Sequence, residues 1–137
     1  MKILISISLI GLAISPAFSQ DAVVSSKEVQ IKSAVLAAPE EKQDGAKVLG
    51  YDENGELVEL RQGTNEMICM ADDPNGKGFS VSCYAADLEP FMQRGRELKK
   101  EGKDFQAIFD MRETEAKSGK LKMPNEGATL FVLSAED

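Results

Sequence analysis

The sequence predicts an α+β domain: a small, mostly antiparallel sheet with a disulfide-closed hairpin, and helices packed on one face. Three observations carry that expectation. Short apolar runs with turn residues between them, as in "AKVLGYDENGELVELR" and "GFSVSCY", read as strands. Apolar residues recur at helical spacing in "SSKEVQIKSAVLAAP", in "DLEPFMQRGRELKKEG" and again after Asp104. The resulting order is helix, four strands, two helices and a final strand, which suits an α+β architecture.

The chain opens with "MKILISISLIGLAISPAFSQ", which reads as a signal peptide over residues 1–19. Lys2 supplies the positive start and Ile3 to Ile14 the apolar stretch. Ala17 and Ser19 are the small residues before a cut between Ser19 and Gln20. The apolar run is shorter than the roughly 20 residues a membrane span requires. The remainder, 20–137, is read as one exported domain, in the periplasm or outside the cell, with no membrane insertion of the mature chain.

After a frayed start, Ser25 and Glu28 fit a capping box, and Ile31, Ala34, Val35 and Ala38 form the apolar face of a helix that Pro39 stops. "EEKQDG" reads as a charged connector. Strands follow near 46–51 and 56–61 around Asn54-Gly55, a hairpin signal because both turn positions take positive φ. "EMICMA" and "GFSVSCY" are the next two strands. In the latter, Phe79, Val81 and Cys83 alternate with Ser80, Ser82 and Tyr84. Asp87 is the expected cap of a helix whose stripe is Leu88, Phe91, Met92, Gly95 and Leu98, ended by Gly102. A second helix opens at Asp104 with Phe105, Ile108 and Phe109 expected against the sheet beside that stripe, and Gly119 follows it. "TLFVLS" is the last strand.

The chain has no histidine and no tryptophan. That removes Ser-His-Asp and Cys-His catalysis, histidine-ligated zinc and histidine-ligated haem. No P-loop or dinucleotide fingerprint is present, so no cofactor is assigned. The formal charge is −7, and loss of Lys2 makes it one unit more negative. Such a chain is repelled by nucleic acid and by anionic lipid, so neither is an expected partner.

The two cysteines, Cys69 and Cys83, are not a C-x-x-C pair. In an exported chain they are expected to form a disulfide across a hairpin whose tip is "DDPNG". In that tip Asp72, Asp73 and Asn75 are a candidate weak cation or ligand loop. The simpler reading is a solvated turn, because an EF-hand register leaves the first and twelfth positions unfilled with Gly76 placed sixth (Ala71 and Ser82) or with Gly55 placed sixth (Gly50 and Arg61). Arg94, Arg96, Lys99, Lys100 and Lys103 form a candidate anion or partner patch. The alternative reading is a helix face with bases near its C-terminal dipole. No metal ligand set and no catalytic residue is assigned.

Three strings, "LRQGTNEMICMADDP", "CYAADLEPFMQRGRELKKEGK" and "GKLKMP", resemble a group of small exported bacterial proteins that has no assigned activity. The shared patterns are L-R-x-G-T-N-x-x-x-C-x-x-D-x-P and D-L-x-P-F-M-x-R-G-R-E-L, within a stretch from Leu60 to Pro124. The resemblance implies export and a common architecture, and it brings no catalytic residue. Members of the group continue past "TLFVLS" with further β-rich sequence, so the resemblance implies either a shortened version or an incomplete gene product.

The functional expectation is a non-catalytic module that binds a protein or a small ligand of unknown identity. One alternative is a carboxylate-dependent hydrolase, which requires two of Asp72, Asp73, Asp87 and Glu89 to meet in a cleft, one with a raised pKa. Another is an exported enzyme inhibitor that inserts its disulfide hairpin into a target.

Overall fold

The computed structural model describes residues 23–136 of the 137-residue chain, so the expected signal peptide lies outside the described residues. Helix α1, Lys27–Ala34, is capped by Ser26, whose side chain accepts from the Val29 N–H at 3.4 Å. The cap therefore falls one residue later than the expected box on Ser25 and Glu28. Ser25 instead offers its carbonyl to the Gln30 side chain at 2.8 Å. A 3-10 turn, Val35–Ala37, tightens the end of α1. The expected connector "EEKQ" winds into a one-turn helix, α2, Glu40–Gln43. Its two acids, Glu40 and Glu41, lie in the first turn, where the helix dipole favours negative charge.

Five strands follow: β1 Lys47–Tyr51, β2 Leu57–Arg61, β3 Met67–Met70, β4 Phe79–Ala85 and β5 Leu130–Ala135. They form one sheet in the order β2-β1-β3-β4-β5, in which β1 and β3 are parallel and every other neighbouring pair is antiparallel. The β1–β2 hairpin forms where Asn-Gly places it, with a different turn. Gly55 alone takes positive φ, at 75°, because the Asp52 carboxylate accepts from the N–H groups of both Asn54 and Glu56 and holds a wider loop. A bulge then shifts the β1–β2 register between Val48 and Leu49.

The sheet is covered on both faces, not one. Val48, Met67, Cys69 and Cys83 pack with Ala34, Val35 and Ala38 of the N-terminal helical segment. Their neighbours in the strands, Leu49, Ile68 and Tyr84, pack with Leu88, Phe91 and Met92 on the opposite side. The cause is visible in "KVL" and "MICM". These central strands are apolar at both parities, and a strand of that kind needs cover on each side.

The second cover is α3, Glu89–Lys100, entered through a 3-10 turn, Ala86–Leu88. That turn takes up Asp87, so the residue at the N-cap is Leu88 and no side chain caps the helix. Helix α4, Phe105–Lys117, is capped by Asp104 as expected. It does not reach the sheet as expected. Phe105 is 80 % exposed and Phe109 50 %, and α4 leans on α3 instead. Arg112 makes that contact: its guanidinium lies 4.0 Å from the centre of the Phe91 ring and donates to the Phe91 carbonyl. Gly95 leaves room for it, since a Cβ there would stand 2.7 Å from Arg112 Nη1. Among the described residues no helix is long and apolar enough to cross a membrane.

The disulfide joins Cys69 to Cys83, which face each other across β3 and β4 with Cα atoms 4.0 Å apart. Both cysteines are completely buried. The bond therefore sits in the middle of the sheet, under α1, and not at an exposed finger.

Candidate functional site

A groove of about 710 Å³ runs between α3 and the β1–β2 hairpin. Its apolar floor is Leu49 of β1, Leu57 and Val58 of β2, and Met70 of β3. Tyr51 stands at one end, where burial and then the nearby Asp73 and Asp72 carboxylates push its hydroxyl up to about 12.

The wall beneath α3 is a closed polar triangle. The fully buried Tyr84 donates its hydroxyl to Glu89 Oε2 at 2.6 Å. Arg96 Nη1 donates to the Tyr84 oxygen at 3.0 Å, and Arg96 Nη2 to Glu89 Oε1 at 2.5 Å. Burial and the Glu89 hydrogen bond raise the Tyr84 hydroxyl well above its ordinary value, so it stays protonated and donates. The sheet alternation aims Tyr84 at α3, and the helical spacing of Glu89 and Arg96 turns both toward it.

The rim is made of ion pairs. Lys99 holds Asp73 at 2.8 Å, and Lys100 holds Glu56 at 2.8 Å. Both lysines are mostly exposed. The lining carries five carboxylates, Glu56, Glu59, Asp73, Glu89 and Glu97, and three cations, Arg96, Lys99 and Lys100, while Lys47 at 2.9 Å and Arg94 at 3.3 Å pair Glu59 and Glu97 from outside it.

Two separate candidates from the sequence thus meet in one place. Asp73 and Asn75 of the hairpin tip and Arg96, Lys99 and Lys100 of the basic run all line this groove. The other members lie elsewhere. Arg94 turns to α4 and grips Glu115 with two bonds of 2.9 Å. Lys103 is exposed and follows the end of α3. Asp72 accepts from the Ser80 N–H at 2.8 Å and stabilises the tip. Asp87 lines a different cavity, with Pro90, Met123 and Pro124.

The tip carboxylates are already committed to protein donors. Besides Lys99, Asp73 accepts from the Asn75 N–H at 2.9 Å. Burial alone would raise the Asp73 carboxyl, yet Lys99 and the Asn75 N–H together hold it below the usual range. Among the described residues no three His, Cys, Asp or Glu side chains gather to hold a metal ion.

The depressed Asp73 pKa makes a testable statement about acid. The folded state binds fewer protons than the unfolded state around the ordinary carboxylate pKa, so stability rises with pH there. The contribution is complete above that ordinary value and is lost as pH falls through the depressed one. Denaturation curves of the parent and of Asp73→Asn should therefore differ most near neutral pH and converge in acid. A constant difference down to strong acid would show that the charge of Asp73 does not matter.

The residues that sequence reading missed are the floor and the two tyrosines. A signal existed: the chain has only two tyrosines, and Tyr51 lines the groove while Tyr84 braces it. The stretch from Leu60 to Asn65, by contrast, is structural. Arg61 donates to the carbonyls of Ala46 and Gln43, and Asn65 donates to the Lys42 carbonyl, tying the β2–β3 loop to α2. No family model matches the chain, and no curated protein or solved structure matches it either.

Proposed function

We propose that this chain is an exported, non-catalytic binding domain whose groove takes a ligand with an apolar body and a cationic end. The observation that carries the reading is the pairing of an apolar floor with a rim of exposed ion pairs, Lys99 with Asp73 and Lys100 with Glu56, whose carboxylates a ligand cation can take over from the lysines. A cavity of this size with few polar anchors suits a small molecule or a short peptide segment. Exposed ion pairs hold weakly and exchange readily for a ligand charge.

The same geometry weighs against the alternatives. Asp73 and Glu89 do share the groove, but each is ion-paired, to Lys99 and to Arg96, and Asp73 is shifted the wrong way for a proton donor. The disulfide hairpin is flanked by β1 and β5, so inserting it into a target would dismantle the sheet.

Calorimetric titration with decylamine and with decanoate, each below its micelle concentration, tests the proposal. Decylamine should bind with one site per chain, more tightly than decanoate. Leu57→Asp should abolish its binding. Equal affinity for both amphiphiles, or binding that survives Leu57→Asp, would overturn it.

A further inference from the structure

We infer that β2 is a docking strand: an extended, basic segment of another protein adds antiparallel to its free edge and lays alternate side chains into the groove beside α3. The inference rests on the groove reading above and names the partner of that same site. β2 is first in the strand order, so among the described residues no strand pairs with its outer side. It also flanks the groove. Leu57, Val58 and Glu59 line one wall, and Arg96, Lys99 and Lys100 of α3 line the other.

The hydrogen-bond parity identifies the free groups. The Asp52 N–H donates to the Glu56 carbonyl at 3.0 Å, so residues 52 and 56 are a bonded pair. Antiparallel ladders alternate, so Gly50 with Val58 is bonded, while Tyr51 with Leu57 and Leu49 with Glu59 are not. The β1 side agrees. The Leu49 carbonyl accepts from the Ala71 N–H, and the Tyr51 main chain meets the Gln30 amide, so neither turns to β2. The N–H and C=O groups of Leu57 and Glu59 therefore point out of the sheet edge. Both residues line the groove, and Leu57 packs against the cluster of Leu49, Ile68 and Tyr84.

A small amine satisfies none of these outward main-chain groups. An antiparallel strand satisfies all of them, by exchanging N–H···O bonds opposite Leu57 and opposite Glu59. Residues opposite each other share a face of the sheet. The partner side chain opposite Leu57 thus lies over the apolar floor, and the one opposite Glu59 lies beside its carboxylate.

Charge selects the partner. The hairpin 52–61 carries Asp52, Glu53, Glu56 and Glu59 against Arg61, whose guanidinium is committed to the carbonyls of Ala46 and Gln43. Acids on an edge repel the strands of an acidic chain, copies of this one included, and attract a basic one. Lys47 and Lys100 now hold Glu59 and Glu56 in exposed pairs, which a partner cation can replace. The matching segment has a basic residue two places before an apolar one and no proline at the pairing positions.

Calorimetric titration of the full chain with a blocked peptide whose core is Lys-Thr-Leu-Thr-Lys tests the inference. It should bind with one site per chain. Amide exchange should slow at Leu57 and Glu59, while Val58, already bonded to β1, is unchanged. The peptide with glutamate in place of lysine should bind at least about tenfold more weakly. So should the basic peptide N-methylated at its leucine, which keeps every side chain and loses a pairing donor. Equal affinity for the N-methylated peptide would overturn the inference. So would exchange at Leu57 and Glu59 that the peptide does not alter, or that is already slow in the free chain. Decylamine separates the two readings: binding of decylamine without the peptide removes the strand partner and leaves the groove, whereas failure of both overturns the groove reading and the strand partner together.

Discussion

Replacing Leu98 with alanine is expected to lower the unfolding free energy by about 2–5 kcal/mol, the range for deleting a fully buried leucine side chain. Leu98 has no exposed surface and is the one completely buried side chain of α3. A helix of this length is marginal alone and holds its place by burying one face. Loss of that anchor also loosens the groove, since Arg96, Lys99 and Lys100 sit on the same helix. Urea denaturation of the parent and the variant measures the effect. A control on α4 makes the comparison sharp: Phe105→Ser, at an 80 % exposed position, should change stability by less than about 0.5 kcal/mol. Equal effects at the two positions would mean that α3 and α4 are packed differently from the arrangement described above.

Removing the disulfide as Cys69→Ala with Cys83→Ala is the second large effect, expected near 3 kcal/mol. The sequence separation of the two cysteines is 14, and in the chain-entropy account a closed loop of about 15 residues constrains the unfolded state by that amount. Alanine is the right replacement because both sites are completely buried, and serine would bury a hydroxyl without a partner. The bond joins β3 to β4, and β3 carries Met70 into the groove floor and leads into Asp73. Thermal and urea unfolding of the double variant, set against the oxidised parent, gives the number. A loss below about 1 kcal/mol would show that the hairpin registers without the bond.

The strands and the disulfide were legible because their signals are local. Asn54-Gly55 marks a hairpin whatever surrounds it, and two cysteines that flank one turn point to each other. The second covered face was legible too late. "MICM" is apolar at both parities, but that fact acquires meaning only when β3 is known to be central. Helix α4 misled for the opposite reason. Phe105 and Phe109 have the spacing of a buried face, yet Arg112 stacks on Phe91 and α4 settles against α3. Gln30 carried no sequence signal at all. It is a buried polar residue whose amide bonds both the N–H and the carbonyl of Tyr51, linking α1 to β1.

The groove was half legible. Asp72, Asp73 and Asn75 read as one candidate, and Arg94, Arg96, Lys99, Lys100 and Lys103 as another, and only Asp73, Asn75, Arg96, Lys99 and Lys100 line the groove. Each set looked self-contained, a cation loop and an anion patch. Their chemistry is mutual: the lysine of one holds the aspartate of the other. Long-range pairing of this kind leaves no trace in spacing, because Asp73 and Lys99 are 26 residues apart.

Methionine methyl spectra during a decylamine titration test the binding reading most directly. Met70 lines the groove floor, while Met67, on the same strand, is buried in the opposite core under α1. The account predicts a saturable shift of the Met70 methyl with Met67 unmoved. A Met70 resonance that stays in place through the titration, or one that moves together with Met67, would contradict it.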